Sequence, residues 1–542
     1  MTTFEGPPVD GVDGIGALTL GGFLEEVADR FGGNDAVVFD DPLRAGATVR
    51  WTYADLHAEA RRTAKALIAT GVERGESVGI VMGNRPEAVA AIFGAAMTGA
   101  VAVPLSTFAP SPELASMLEL ADISVVLTQA RLLSRRFGDD IRALRPDLPL
   151  RQIAVLGEDS WDRFVAQGDA VGDEELDRRI AGVEPDDPAL VIFSSGTTST
   201  PKGMLHSNRA PSQQMWVQAQ IFGRNERTRM WTALPLFWTA GFNTAVGATL
   251  AAGGCWVAQE TFEPGEALAL MSRERVTEPY TLPHQTAALE EHPDWATTDL
   301  SSLTCVFGKS AFARHPSVRG DTGWIMPVGY GLSETCAFVF THSSDATREA
   351  TRRSMGKLLP GTQLRVIDSD TGRALGAGEV GELAVKGPTL MLGYLGKEPA
   401  DCFDEDGFFH TGDSGHVDEH GEVHFGGRRT EMIKTGGANV SPAELEVALR
   451  ACQPVKLSRI VAVPHPRLDQ IVVACIVLKD GADATEADIQ AFLRERVSSY
   501  KVPKRVLFFA EGEIPMTASD TKVRDEALLA LVHQRLAGPI DN

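Results

Sequence analysis

The chain has 542 residues, with Lys+Arg 51 against Asp+Glu 73 and a formal net charge of -22. That length predicts several structural units of roughly 150 residues each, with ample sequence to bury a core. The acidic balance argues against nucleic acid or anionic lipid as a partner, so an anionic ligand must be gripped by a local site.

Met1 to Gly16 carries acids and glycines rather than a basic start and an apolar centre, so no signal peptide is visible. Cys255, Cys305, Cys336, Cys402, Cys452 and Cys475 are scattered singly, which excludes a C-x-x-C metal or redox pair and a dense disulfide framework. Both observations fit a cytoplasmic protein. From Leu20 to about Val183, helical patterns such as Tyr53 to Leu67 alternate with the apolar runs Val78–Met82, Val125–Leu127 and Ile153–Leu156. Such alternation predicts layered α/β sheets with largely parallel strands. The most apolar window, Ala88 to Leu105, is rich in Ala and Gly, holds Thr98 and runs into Pro104. It reads as a core helix feeding a strand, not a membrane span.

After the turn-rich Glu184–Pro188, the apolar run Ala189–Ile192 opens into Phe193 to Gly203, where two glycines, six hydroxyl side chains and one lysine share eleven residues. Glycines let backbone N–H groups turn to an anion, hydroxyls donate further bonds, and Lys202 supplies a mobile charge. In isolation such a cluster also fits a polar surface loop. The offset from Gly196 to Lys202 is that of the P-loop pattern G-x-x-x-x-G-K-[ST]. Pro201 and Gly203 break the pattern, the latter where a hydroxyl must ligate magnesium, so an ordinary P-loop ATPase is excluded.

Leu234 to Phe242 is an aromatic stretch that reads as core or as a pocket wall. In Cys305–Ala311, Lys309 either snorkels to solvent or points inwards towards a polar or anionic substrate group. Tyr330-Gly331-Leu332-Ser333-Glu334-Thr335 follows, with a carboxylate suited to a hard cation. Strands such as Leu364–Ile367 and Gly381–Val385 predict a small antiparallel sheet or barrel. His410-Thr411-Gly412-Asp413 supplies an aspartate that can only accept hydrogen bonds when ionised. Gly427 to Glu446 includes Gly436 and Gly437, whose missing Cβ atoms would let a slender arm pass close to the backbone. The last part mixes the apolar runs Val461–Val463 and Ile471–Val477 with helices, as a compact α+β cap, and carries Lys522 within Ile514–Val523.

The core S-G-T-T-x-x-P-K-G resembles the phosphate loop of the adenylate-forming superfamily, which includes acyl-CoA synthetases, peptide-synthetase adenylation domains and beetle luciferases. The later segments match the superfamily's motifs in order, and Gly99–Leu105 is a weaker match near the start. The resemblance, strongest to acyl-CoA synthetases, implies a large N-terminal body, residues 1–429, of layered α/β sheets plus a small barrel-like part. A mobile α+β cap, residues 430–542, is joined to it by a hinge. It implies ATP contacts from Ser195, Gly196, Thr197, Thr198, Ser199, Lys202, Gly308, Tyr330 on the adenine, Ser333, Asp413 on the ribose, and Arg428. Glu334 would hold Mg2+. Trp238, which replaces a usual histidine, Phe242, Lys309 and Gly331 would border the acid, and Gly436 and Gly437 the thiol-bearing arm.

Two lysines take catalytic roles by the same resemblance. Lys522 would bridge the acid carboxylate and the phosphates in the first half-reaction, although Asp520-Thr521 stands where the pattern has one glycine. Lys434 falls on a position used in the second. Thr430 stands at the hinge, where Asp or Lys is usual. The implied activity is ATP-dependent ligation of a fatty, alicyclic or aryl acid to coenzyme A, in fatty acid metabolism. No aspartate is present to pair with an amino-acid substrate. The alternatives are an acyl-AMP ligase loading a carrier protein and a nucleotide-binding relative impaired in catalysis.

Overall fold

The computed structural model describes residues 2–144, 148–194, 201–308, 310–368, 370–428, 432–479, 481–510, 512–515 and 525–536. The expected alternation produces two sheets. One has seven strands in the order Gly393–Tyr394, Lys202–Ser207, Pro188–Ser194, Val101–Pro104, Ser77–Val81, Val125–Gln129, Gln152–Leu156. From Pro188–Ser194 onwards the neighbours are parallel, while Lys202–Ser207 turns back antiparallel. The second sheet has five strands and centres on Cys255–Ala258, paired in parallel with Asp35–Asp41 and Arg229–Thr232.

Helices pack between the two sheets and close one hydrophobic cluster with both. Val78 and Ile80 come from the first sheet, Val37 and Trp256 from the second, and Phe23 and Phe93 from the helices between. Helix Pro86–Met97 is buried along its whole length, which explains why its sequence lacks a polar face. Proline at its start fixes a helical φ, and Gly99 beyond its end takes φ +79°, a left-handed value that glycine adopts at little cost. The apolar window is thus the expected core helix followed by strand Val101–Pro104. Among the described residues no helix is long and apolar enough to cross a membrane.

The expected small sheet is antiparallel throughout. Its order is Phe4–Glu5, Gln363–Ile367, Gly381–Lys386, Phe409–Val417, Val423–Arg428, so the N-terminal strand closes one edge by pairing Phe4 with Leu364. Further along the chain, strands Val455–His465 and Asp469–Leu478 form the spine of a separate sheet. Along the second strand Val472, Ala474 and Ile476 face helices Pro442–Arg450 and Glu486–Arg494. Ile471, Val473 and Cys475 face helix Asp525–Arg535. Both faces are buried, which is why the strand reads as a continuous apolar run rather than an alternating one.

This C-terminal part rests on the rest of the molecule through a buried ionic triad. Lys501, only 1% exposed, donates from Nζ to Glu113 Oε1 at 2.7 Å and to Glu444 Oε1 at 2.8 Å. Ser498 Oγ donates to Glu113 Oε2 at 2.8 Å. Glu113 lies on helix Ser111–Leu120 of the body, and Glu444 on helix Pro442–Arg450. Two carboxylates share one ammonium out of water, so burial, only partly offset by Lys501, pushes Glu444 up to about 6. Burial opposes the charge on Lys501 too, but Tyr500, Glu113 and Glu444 hold its pKa above the ordinary value.

Candidate active site

The site begins at the hairpin that holds the hydroxyl-rich segment. Ser194 and Lys202 face each other across strands Pro188–Ser194 and Lys202–Ser207, so both ends of that segment open at one place. On the other edge of Lys202–Ser207, strand Gly393–Tyr394 pairs Tyr394 with Met204. The Tyr394 ring therefore lies beside Lys202, whose Nζ is 5.4 Å from the ring centroid. The Tyr394 hydroxyl donates to Glu334 Oε1 at 2.8 Å, and the Met391 N–H donates to the Glu334 carbonyl at 2.7 Å. Within the hairpin, on strand Lys202–Ser207, His206 is wholly buried, and burial pushes its imidazole down to about 4, which keeps it neutral.

Glu334 is aimed by a tight crossing of two strands. A Cβ on Gly331 would stand 1.8 Å from the Ala337 carbonyl oxygen, so only glycine lets Tyr330–Leu332 approach Ala337–Thr341 this closely. Thr335 braces the turn between them, accepting from the Leu332 N–H at 2.9 Å and donating to the Ala337 carbonyl at 2.9 Å. Ser194, Lys202, Gly331, Ser333, Glu334 and Tyr394 all line a cavity of about 570 Å³. Trp238 and Gly437 reach it from other elements. Glu334 fits a magnesium ion as a hard oxygen donor on the cavity wall, beside the hairpin expected to carry phosphates.

Several expected residues lie elsewhere. Phe242, expected to border the acid, is wholly buried in the core and packs on Phe93 at 5.9 Å. It falls within Ala240–Gly247, a helix wound more widely than an α-helix, which turns Ala240 and Thr244 to the cavity instead. Gly308, expected beside adenine, is exposed and backs onto the Asp321–Arg348 ion pair. Tyr330 does not lie on the cavity wall: Gly329 and Gly331 face the cavity, and strand alternation sends Tyr330 the other way. Its ring stacks on Phe340 at 4.8 Å, and its hydroxyl donates to Asp413 Oδ2 at 2.7 Å. Asp413 is buried, while its neighbours Thr411 and Gly412 line the cavity; Arg428 pairs with it across the strands. Lys434 is exposed between the buried Ile433 and Thr435. Ser195, Gly196, Thr197, Thr198, Ser199, Lys309 and Lys522 lie outside the described residues.

A second cavity, of about 730 Å³, adjoins the first. Trp238, Ala438 and Tyr500 line both. The wall between them is an aromatic cluster: Trp238 meets Tyr500 edge-on at 6.3 Å, and Phe108 packs on Phe237 at 5.4 Å and on Tyr500 at 6.1 Å. Burial pushes the Tyr500 hydroxyl up to about 12. The C-terminal part also supplies Gly436, and the body supplies His284. Gly437 sits at φ +84°, a left-handed value that favours glycine, with the end of the Leu282 side chain 2.5 Å from where a Cβ would be. Sequence reasoning missed Tyr394, Tyr500 and His284, because none sits in a motif. A tyrosine directly after Gly393, and another directly before a lysine in an apolar setting, were the faint signals.

The fold is that of an adenylate-forming enzyme. The solved structure of an amide bond synthetase from Marinactinospora thermotolerans superposes with a TM-score of 0.77 at 28% identity, covering 94% of this chain and 99% of that one. Indoleacetate–CoA ligase of Aromatoleum aromaticum is 31% identical over 494 residues, 89% of this chain and 94% of its own. Feruloyl-CoA synthase of an Amycolatopsis species is 31% identical over 489 residues, with the same coverage of 89% and 94%. Residues 24–395 match the AMP-binding enzyme family, and residues 444–521 match the AMP-binding enzyme C-terminal domain. The chain belongs to this family, as an AMP-forming ligase of the acid–thiol class.

Proposed function

We propose that the protein joins an aryl or other largely apolar carboxylic acid to coenzyme A through an acyl-adenylate. The observation that carries the reading is the placement of Lys202, Tyr394 and Glu334 around one cavity, at the mouth of the hydroxyl-rich hairpin, with a second cavity next to it. A carboxylate is a poor electrophile, so it must first become a mixed anhydride. Its oxygen attacks the α-phosphorus of ATP, and pyrophosphate leaves with the electron pair of the broken P–O bond. This step needs in-line placement of two anions and positive charge where negative charge builds.

Lys202 supplies charge at the phosphates, and the hydroxyls of Thr197, Thr198 and Ser199 hold the departing pyrophosphate. Lys522 joins the acid carboxylate to the phosphates, and Asp413 and Arg428 serve the ribose side. A magnesium ion held by Glu334 would offset repulsion between the phosphates and the acid. Residues 430–542 then act as a mobile cap, turning at Thr430 so that Lys522 leaves and Lys434, Gly436 and Gly437 serve the second step. Trp238, Tyr280 and Phe338 give the first cavity flat apolar walls. They suit an aryl acid, in line with the indoleacetate and ferulate named for the relatives.

The likeness to an amide bond synthetase favours a second reading, with an amine in place of the thiol. A mass-spectrometric screen of aryl, alicyclic and fatty acids with ATP, magnesium and either coenzyme A or a simple amine tests both. Acyl-AMP and acyl-CoA from an aryl acid are expected. Acyl-AMP that passes only to the amine would select the second reading, and no cleavage of ATP with any acid would sink both.

A further inference from the structure

The second half-reaction has a proton to place. A free alkyl thiol, with a pKa of about 8.5, is mostly protonated at neutral pH, and the thiolate is the nucleophile. The second cavity, through which a thiol-bearing arm would pass along Gly436, is lined by five titratable side chains: Arg135, Glu260, His284, Tyr500 and Lys504. Arg135 and Lys504 are hydrogen-bond donors with no acceptor atom. The Tyr500 hydroxyl is pushed up to about 12. Glu260 Oε1 already accepts from Arg85 Nη1 at 3.1 Å and from Gln129 Nε2 at 3.0 Å. His284 is left.

Its setting differs from that of an ordinary surface histidine. Pro283 starts the helix Pro283–Glu291 and fixes His284 in its first turn, at the cavity wall. Nδ1 is buried with no hydrogen-bond partner among the described residues. Across from it stands Gly436, where a Cβ would lie 3.5 Å from Nδ1, so the missing side chain leaves the ring facing the turn expected to guide the arm. Among the described residues His57 and His206 also hold unpartnered buried ring nitrogens, and of the three only His284 lines this cavity.

We infer that His284 is the base of the thioester-forming step, taking the proton of the incoming thiol as the sulfur attacks the acyl carbon. The C–S bond forms, the bond from the acyl carbon to the phosphate oxygen breaks, and AMP leaves with that electron pair. The proton stays on the imidazole until solvent removes it. This rests on the ligase reading. Burial and the nearby Lys504 charge both lower the His284 pKa, so the ring is neutral at pH 7 and able to accept. Arg135 and Glu260 are the other charged side chains lining the same cavity.

His284→Gln and His284→Asn test the inference. Acyl-AMP formation is followed by single-turnover pyrophosphate release without coenzyme A, and thioester formation by adding coenzyme A to preformed acyl-AMP, across about pH 5 to pH 9. The expected result is pyrophosphate release unchanged within about twofold, thioester formation slowed about 10²–10⁴-fold, and loss of the acid limb that wild type shows only in the second step. A variant that keeps the wild-type thioester rate and acid limb overturns the assignment, as does equal loss of both half-reactions in both variants. A wild-type enzyme that makes acyl-AMP but never acyl-CoA overturns the ligase reading itself, and this inference with it.

Discussion

The two cavities are built in different ways. The first is walled mainly by strand ends and tight turns of the body, with Met432, Gly437, Ala438, Asn439 and Tyr500 closing it from the C-terminal part. The second is split between the two: Arg135, Phe237 and His284 come from the body, Gly436, Leu468 and Lys504 from the C-terminal part. Both cavities are completed by the C-terminal part, but the hairpin and turns of the first come from the body alone and can hold a ligand there in a fixed pose. The second takes more of its wall from the C-terminal part and exists in full only while the two are docked, which suits a partner that must come and go.

Lys501→Met should break this contrast most. It leaves Glu113 and Glu444 buried without their shared cation, and such a loss costs about 3–5 kcal/mol. Thermal and denaturant midpoints should fall, and limited proteolysis should cut between the body and the C-terminal part before it cuts within either. Midpoints equal to wild type would mean that the triad does not hold the second cavity together.

Lys522→Ala tests the chemistry proposed for the first cavity. It should slow adenylate formation by about 3 kcal/mol at the transition state, while sparing thioester formation from preformed acyl-AMP. Parallel loss of both steps in single-turnover assays would count against a role confined to the first.

The smallest effect comes from pH. Glu444 has a folded pKa of about 6 against an ordinary value of 4.5, so the folded state binds that proton more tightly than the unfolded chain. The contribution is fully present below about pH 4.5 and is lost as pH rises through about 6, a change of about 2 kcal/mol. Glu444→Gln should flatten the difference in denaturation midpoint between about pH 4.5 and pH 7. A variant with the wild-type slope would rule Glu444 out as its source.

Legibility in the sequence follows the same divide. The layered body, the small antiparallel sheet and the C-terminal spine were readable, because continuous and alternating apolar runs state directly how many faces of a strand are covered. Lys202, Ser333 and Glu334 stand within short motifs, and all three line the first cavity. Phe242 was misread because its neighbours pointed to a pocket, while the winding of Ala240–Gly247, invisible in composition, turned the ring inward. Tyr330 and Asp413 were assigned to a nucleotide, and the structure joins them to each other across the small sheet. The Glu113–Lys501–Glu444 triad and the approach of His284 to Gly436 could not be read at all, since each joins residues far apart in the chain and depends on docking.

The edge strand Phe4–Glu5 imposes an order of events on biosynthesis. Phe4 leaves the ribosome well before its ladder partner Leu364 has been translated. At roughly 5–20 residues per second that delay is on the order of tens of seconds. Throughout it the segment is a tether without a berth.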